Sequence, residues 1–516
     1  MTNGKTVSNT WKSGVAVVFY IAVLKFAMHM LVQNYGYFRD ELYFLACGDH
    51  LAWGYMDQPP LVALMAKISS LLFGTSLAGL HIIPALAGAV QVVLAGMLVR
   101  EFGGKLFAQA TAAIATALVP IYMATAGYLS MNCLEPVLWT LLAYIIVRII
   151  NTGNQRLWLW FGFTAGVGME NKYGIAFFAF ALIVGILLTP ERKAFFKPWI
   201  WIGSVIAFLI FLPNLIWLYN NGFPFIQIQK HFLLGKNIIL SPVDFLKGQV
   251  FLMNPASCPL WLGGIYFYFT KAGKQWRALG WAFLTALLLF LVQKGTKVYF
   301  LAPAYIMLFA SGAVLFDNFI AGCEAKGKNL NWLRPAGIGV VIAGGIILAP
   351  LSICILPPQQ FISYMNTFRL RPPATENHEQ SPLPQMYADM FGWEEMTGKV
   401  AAYYNSLPAD ERAKTAIFCG NYGECGAIDL LGGKYGLPKS IGGHMNYWIW
   451  GPRDYTGESI IVVGGDIDKM KSQFRSVTKA GDIYHPYAMP YENKPIWHCR
   501  GAIRNLQSMW SELKSY

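Results

Sequence analysis

What most constrains this chain is its run of apolar segments. Between residues 13 and 356 they follow one another at lengths near the roughly 20 residues that a helix needs to cross bilayer hydrocarbon. In that medium each backbone polar group must be satisfied within its own segment, so the pattern dictates packed membrane helices. Candidate spans fall at 13–33, 78–99, 106–126, 130–150, 157–169, 173–189, 198–219, 249–270, 277–292, 298–317 and 335–356, for an expected total of 11 to 13 helices. Only 13% of the residues are charged, against about 25% in soluble proteins. An ordinary soluble enzyme, a disordered chain and a nucleic-acid module are thereby excluded.

The net charge of +13 is unevenly placed. Residues 1–357 hold 24 Lys and Arg against 11 Asp and Glu, whereas residues 358–516 hold 16 of each. The basic excess thus belongs to the apolar part, where it reports orientation. With the N-terminus inside, the inner loops carry Arg100 and Lys105, Arg148 and Arg156, Arg192, Lys193 and Lys197, Lys271, Lys274 and Arg277, and Lys326, Lys328 and Arg334. The expectation is a cytoplasmic N-terminus and a C-terminal domain on the outer face. Lys5 and Lys12 precede a long first span without a small-residue cleavage site, so that span is expected to be retained.

Seven of the acids in the membrane part then face outward: Asp40, Glu41, Asp49, Asp57, Glu135, Glu170 and Asp244. Carboxylates near hydrocarbon are costly unless paired, metal-bound or wet, which makes them candidates for function. Asp49 and Asp244 read as solvated loop charges. Asp40 and Glu41 do not, because their neighbours are apolar and aromatic. The first outer loop runs Tyr35-Gly36-Tyr37-Phe38-Arg39-Asp40-Glu41-Leu42-Tyr43-Phe44 and later Gly54-Tyr55-Met56-Asp57-Gln58-Pro59-Pro60-Leu61.

An adjacent acid pair directly after the first membrane helix, followed by Pro-Pro-Leu, resembles the membrane glycosyltransferases of the GT-C class. The resemblance is to the dolichyl-phosphate-mannose–protein mannosyltransferases (glycosyltransferase family 39) and the bacterial lipid A aminoarabinose transferases. Lys297-Val298-Tyr299-Phe300-Leu301-Ala302-Pro303 is similar to the family's Lys-x-x-x-Tyr-x-x-Pro region with tighter spacing, and Gly166 to Tyr173 is similar to its Gly-rich helix end with a terminal Lys. The likeness extends over residues 10–356. Where relatives often carry an Asp at the entry of the second outer loop into its helix, this chain has Asn132 and Glu135, three apart and so on one helix face. Where the aminoarabinose branch has Glu-Lys before Pro-Pro, this chain has Asp57-Gln58.

The resemblance implies an all-α polytopic membrane domain of GT-C type with a C-terminal α/β extracytoplasmic domain. The expected division is a transmembrane domain over 1–357 with a catalytic loop at 34–60, a linker over 358–384 and an outer domain over 385–516. The implied location is a bacterial inner (plasma) membrane. The implied partners are a polyprenyl-phosphate-linked sugar as donor, a lipid, glycan or protein as acceptor, and the surrounding membrane lipids. In such chemistry charge grows on the leaving phosphate, which calls for a cation or positioned donors. The acceptor hydroxyl must lose its proton to a carboxylate within reach. By resemblance Asp40 is the general base, with Glu41 sharing the site. Arg39, Lys172 and Lys297 are candidates for the donor phosphate, although a Lys at a helix end ordinarily snorkels to the interface. Tyr55, Asp57, Asn132, Glu135 and Tyr299 are candidates for substrate contacts. A divalent metal (Mg, Mn or Zn) bridging Asp40, Asp57 and phosphate is compatible with these hard oxygen ligands. Tyr55, Tyr299 and Trp139 also read as interface aromatics. Direct attack by the acceptor would invert the anomeric centre.

Beyond the linker, Lys414–Cys419 and Ser459–Val463 read as buried strands, and Glu424–Leu431 as a helix, an α/β pattern. Gly420-Asn421-Tyr422-Gly423 reads as a tight turn more readily than as an anion cradle. Gly442–Trp448 reads as an aromatic loop, either packed or meeting an acceptor. Cys419, Cys425 and Cys499 share this outer domain, and a Cys419–Cys425 or Cys419–Cys499 disulfide is among the options there. The competing functional reading is a polytopic transporter or flippase of lipid-linked sugars. It predicts ionisable groups in mid-membrane and two related halves, whereas the acids here gather at one surface and no internal repeat is visible. A non-catalytic sugar-lipid binding protein is the third reading.

Overall fold

Small residues set how the membrane helices meet. Helices Leu157–Asn171 and Pro198–Asn220 cross so closely that a Cβ on Gly162 would fall 1.9 Å from the carbonyl oxygen of Gly203. Helices Cys258–Phe269 and Ile306–Glu324 do the same, with Gly312 1.9 Å in that sense from the carbonyl oxygen of Leu260. In a bilayer, close backbone approach through Gly replaces the hydrophobic drive that packs soluble helices. Larger side chains fill what remains: fully buried Trp139 stacks on Phe178 with ring centres 4.5 Å apart.

The computed structural model describes residues 3–32, 34–236, 238–370 and 376–516. Among them the chain forms two compact units. The first comprises residues 1–33, 80–220 and 238–355 and is a bundle of membrane helices. Seven of its helices are long and apolar enough to cross a bilayer, or eight if Ile175–Leu187 and Pro190–Phe196, bent by 108°, form one span. This is fewer than the 11 to 13 spans expected, and prolines account for part of the difference. The apolar stretch 106–126 is broken before Pro120 into Leu106–Ala117 and Pro120–Thr125. The stretch 249–270 is broken at Asn254-Pro255, after the helix Pro242–Leu252 and before Cys258–Phe269. Proline lacks the N–H that would continue the ladder and clashes with the preceding turn.

The second unit comprises residues 34–79, 221–237 and 356–516. Its centre is a five-stranded sheet of β1 (Thr415–Cys419), β2 (Ile441–Gly442), β3 (Ser459–Val463), β4 (Phe474–Asp482) and β5 (Pro495–Ala502) in the order β2-β1-β3-β5-β4. Strands β1, β2 and β3 are parallel, while β5 runs antiparallel to β3 and to β4. The expected strands and the helix after the first of them, Tyr422–Leu431, are present. The interior of β1 and β3 is apolar, as buried parallel strands require. All eight cysteines are free thiols, so neither disulfide option is realised. Part of the stretch read as a linker is the helix Pro358–Thr367. Residues 371–375 of that stretch lie outside the described residues.

Candidate functional site

The loop after the first membrane helix belongs to the second unit, and its helix Arg39–Asp49 rests on Tyr422–Leu431. Contact is made through glycines: a Cβ on Gly426 would lie 2.6 Å from the backbone of Leu42, and one on Gly423 2.4 Å from Cγ of Arg39. This close seat fixes the N-terminal turn of the loop helix. The Arg39 amide donates to the carbonyl of Asp389 at 3.1 Å. Its guanidinium donates to the Tyr491 hydroxyl at 2.7 Å and lies 3.6 Å from the carboxylate of Asp389 and 3.7 Å from that of Asp40. Burial works against its charge, but Asp389 and Asp40 more than offset this, so Arg39 stays protonated. Burial also pushes the Asp389 carboxyl up to about 6, against the pull of Arg39.

Asp40 is different. Its side chain is 34% exposed, and one carboxylate oxygen accepts the Tyr422 hydroxyl at 2.7 Å. The result is an oriented carboxylate with part of its surface exposed. Neighbouring Glu41 is fully buried, and its carboxylate accepts the Phe38 amide at 2.9 Å. That is the geometry of a helix cap. Asp57 accepts the Tyr43 hydroxyl at 3.0 Å, and the Tyr43 and Tyr422 rings lie 4.8 Å apart, so two adjacent tyrosines hold the two aspartates. Tyr55 is fully buried rather than interfacial; its hydroxyl donates toward the carbonyls of Cys47 (3.0 Å) and His50 (3.2 Å) and accepts the Ala52 amide at 3.2 Å. Trp139 is likewise buried rather than interfacial.

The loop after β2 is packed: Asn446 accepts the Met56 amide at 2.7 Å, and His444 accepts the Tyr422 amide at 3.2 Å while stacking on that ring. The turn at Gly420–Gly423 is occupied by the chain itself. Buried Glu424 accepts the amides of Gly420 (2.7 Å) and Asn421 (3.3 Å) and pairs with Lys494. Asp49 and Asp244 have exposed side chains, as expected of solvated loop charges.

In the membrane unit Lys172, Asn132, Glu135 and Tyr299 come together. Ser130 caps the helix Met131–Thr152 by accepting the Asn132 amide at 3.2 Å, which sets Asn132 and Glu135 on one face of its first turn. Lys172 ends the helix Leu157–Asn171 and donates to Asn132 at 2.9 Å and to Glu135 at 2.8 Å. Its ammonium lies 5.3 Å from the centre of the Tyr299 ring and 5.0 Å from that of Phe300, within cation–π range. Thr125, Asn132, Glu135, Tyr299 and Pro303 border a small cleft beside it. Lys297 stands just before the 3₁₀ turn Val298–Tyr305. Glu170 is buried, and neither of its carboxylate oxygens has a hydrogen-bond partner among the described residues.

The metal expectation is tested by the same geometry. Asp40 and Asp57 are each engaged by a tyrosine, and among the described residues no three His, Cys, Asp or Glu side chains gather to hold an ion. Residues that sequence reasoning missed are Tyr422, Asp389 and Tyr491, which surround Arg39 and Asp40. They lie about 350 to 450 residues further along the chain, and no local motif links them to the first loop.

Comparison with known proteins bears on the fold. Residues 57–217, less than half of the chain, match the family described as dolichyl-phosphate-mannose-protein mannosyltransferase. No curated protein sequence matches the chain. The structure is similar to ArnT from Cupriavidus metallidurans bound to undecaprenyl phosphate, with a TM-score of 0.61 at 12% identity, covering 96% of this chain and 98% of that one. The apo state of the same protein gives 0.60 at 11% identity, covering 94% and 97%. The apo oligosaccharyltransferase of Archaeoglobus fulgidus gives 0.51 at 12% identity, covering 80% of this chain and 63% of that one. This chain is an integral membrane protein, and its fold is that of the ArnT structures from Cupriavidus metallidurans.

Proposed function

We propose that this protein is a glycosyltransferase that moves a sugar from a polyprenyl-phosphate donor to a hydroxyl acceptor on the outer face of a bacterial inner membrane. The observation that carries the proposal is Asp40, a partly exposed carboxylate held by the Tyr422 hydroxyl at 2.7 Å on a loop helix of a GT-C fold. The bound undecaprenyl phosphate of the similar ArnT structure supports the donor class. The outward orientation is part of the proposal and draws support from the basic excess of residues 1–357 and from Lys5 and Lys12 ahead of the first span.

In the reaction the acceptor oxygen attacks the anomeric carbon as its proton passes to Asp40. The bond from that carbon to the phosphate oxygen breaks, and polyprenyl phosphate leaves with the electron pair. The sugar is transferred with inversion. Lys172, held by Asn132 and Glu135, supplies positive charge for the leaving phosphate, with Lys297 as a second cation. Arg39 and Glu41 position Asp40, the first by charge and the second by capping its helix. Asp57 and Tyr299 contribute polar surface for the substrates, and no step is routed through a metal.

The test is to compare glycolipids and glycoproteins, by mass spectrometry, from a deletion strain complemented with wild type or with Asp40→Asn. A sugar restored by wild type and missing with Asp40→Asn supports the proposal and identifies the acceptor. A sugar restored equally by both refutes Asp40 as the base.

A further inference from the structure

The segment that carries Asp40 is locked to a turn far along the chain, where the short helix Gln385–Ala388 ends at Asp389. A Cβ on Gly36 would fall 2.3 Å from the carbonyl oxygen of Met390, so the two backbones meet where only glycine fits. Tyr35 stacks on Phe391 with ring centres 5.2 Å apart. The carbonyl of Asp389 accepts the Arg39 amide at 3.1 Å and the Trp393 indole N–H at 3.0 Å. These contacts fix the Asp389 carboxylate beside the Arg39 guanidinium, and the two side chains are only 1% and 13% exposed.

The guanidinium stands between two carboxylates without closing on either. Its Nη2 lies 3.6 Å from Oδ2 of Asp389, and its Nε lies 3.7 Å from Oδ1 of Asp40. Both are ion-pair distances too long for hydrogen bonds. Nε of Arg39 and Oδ2 of Asp389 are buried and have no hydrogen-bond partner among the described residues. Tyr491 holds the group at this midpoint: its hydroxyl accepts from Nη1 of Arg39 at 2.7 Å and donates to Oδ1 of Asp389 at 3.0 Å. The guanidinium also lies 5.4 Å from the centre of the Tyr422 ring, within cation–π range. Released from Asp389, it would close on Asp40 in the short, charge-assisted geometry that Arg and carboxylates favour. Oδ1 of Asp40 already accepts the Tyr422 hydroxyl at 2.7 Å, so closure would claim Oδ2 as well.

We infer that Asp389 is a positioning residue for the transfer: with Tyr491 it holds Arg39 back from Asp40, and so keeps an oxygen of Asp40 free to take the proton of the acceptor. The inference rests on the reading of Asp40 as the base. Burial pushes the Asp389 carboxyl up to about 6, so it is still charged, and able to hold Arg39, at neutral pH.

The test uses the full-length protein in nanodiscs, with a lipid extract of the deletion strain as the source of unused donor and unmodified acceptor, and reads the release of polyprenyl phosphate. In Asp389→Asn and in Tyr491→Phe, kcat should fall roughly tenfold or more, because Arg39 closes on Asp40. The affinity of Asp389→Asn for undecaprenyl phosphate should stay at the wild-type value. Asp389→Asn should also unfold no earlier than the wild type at neutral pH, since the neutral amide avoids the cost of a buried charge. An electron cryo-microscopy structure of Asp389→Asn should show an Arg39 nitrogen within about 3 Å of Oδ2 of Asp40. Wild-type kcat in both folded variants, or an unmoved Arg39 in Asp389→Asn, overturns the inference. A fall in kcat matched by equal losses of undecaprenyl phosphate affinity and of thermal stability makes Asp389 a structural residue and overturns it too. A wild type that releases no polyprenyl phosphate, or an Asp40→Asn as fast as wild type, defeats the transferase reading instead, and the place of Arg39 in Asp389→Asn then still decides whether Asp389 holds it.

Discussion

Lys172 offers a direct way to separate structure from chemistry. Its ammonium is bound to the buried carboxylate of Glu135 at 2.8 Å, so Lys172→Met leaves that carboxylate without its counter-charge. Breaking one partner of a buried pair costs about 3 to 5 kcal/mol, while removing both together is close to neutral. The single variant should therefore unfold at a markedly lower temperature, and Lys172→Met/Glu135→Gln should recover most of the loss. Activity should follow a different course. If Lys172 also meets the donor phosphate, the double variant lacks a charge-assisted hydrogen bond worth roughly 1.5 to 3 kcal/mol. Its kcat/KM for the polyprenyl-phosphate sugar should then fall about ten- to a hundredfold although the fold is restored. The assay is a double-mutant cycle read twice, once by thermal unfolding and once by turnover. A double variant that is both stable and as active as wild type would refute the phosphate role and leave Lys172 as the structural partner of Glu135.

Three further outcomes follow from the geometry. Glu41→Ala removes the cap on Phe38 and should destabilise the protein by about 1 kcal/mol, seen as a lower unfolding temperature, whereas Glu41→Gln should retain nearly wild-type turnover. Asp389 has a folded pKa near 6, above its unfolded value, so its contribution to stability is complete below about pH 4 and is lost as pH rises through 6; Asp389→Asn should flatten that part of the stability-against-pH curve in thermal unfolding. Alkylation under denaturing, non-reducing conditions should label all eight cysteines by mass, and a shortfall of two would reveal a disulfide.

Much of the membrane architecture was legible because burial in lipid imposes one rule on every segment. The rule is length and apolarity, and the spans at Leu77–Glu101, Met131–Thr152 and Pro198–Asn220 obey it. It fails where an apolar run contains a backbone break, as at Pro120 and Asn254-Pro255, since hydropathy does not register the missing N–H. The strands β1 and β3 were legible as continuous apolar runs, but β4 was not. It lies at the sheet edge, and Arg475, Lys479 and Asp482 give it the composition of a loop.

The site divides in the same way. Asp40 and the pairing of Asn132 with Glu135 are local, the one by its place after the first membrane helix and the other by helical spacing. Lys172 was legible as a candidate, but its attachment to Asn132 and Glu135 was not, because it depends on how two helices cross. Glu41 looks in sequence like the equal of Asp40, and only the backbone shows that its carboxylate is spent on Phe38. Tyr422 and Asp389 have no signal near the first loop, since the fold alone brings them to Arg39 and Asp40.

The central claim is tested most directly by following the lipid product. Purified protein in bilayer nanodiscs would be supplied with a polyprenyl-phosphate sugar and an acceptor extract, and free polyprenyl phosphate and the anomeric configuration of the new linkage would be measured. The account predicts stoichiometric release of polyprenyl phosphate, inversion at the anomeric carbon, and loss of both in folded Asp40→Asn. Consumption of the donor at the wild-type rate by Asp40→Asn, or passage of the intact lipid-linked sugar across the bilayer without cleavage, would contradict it.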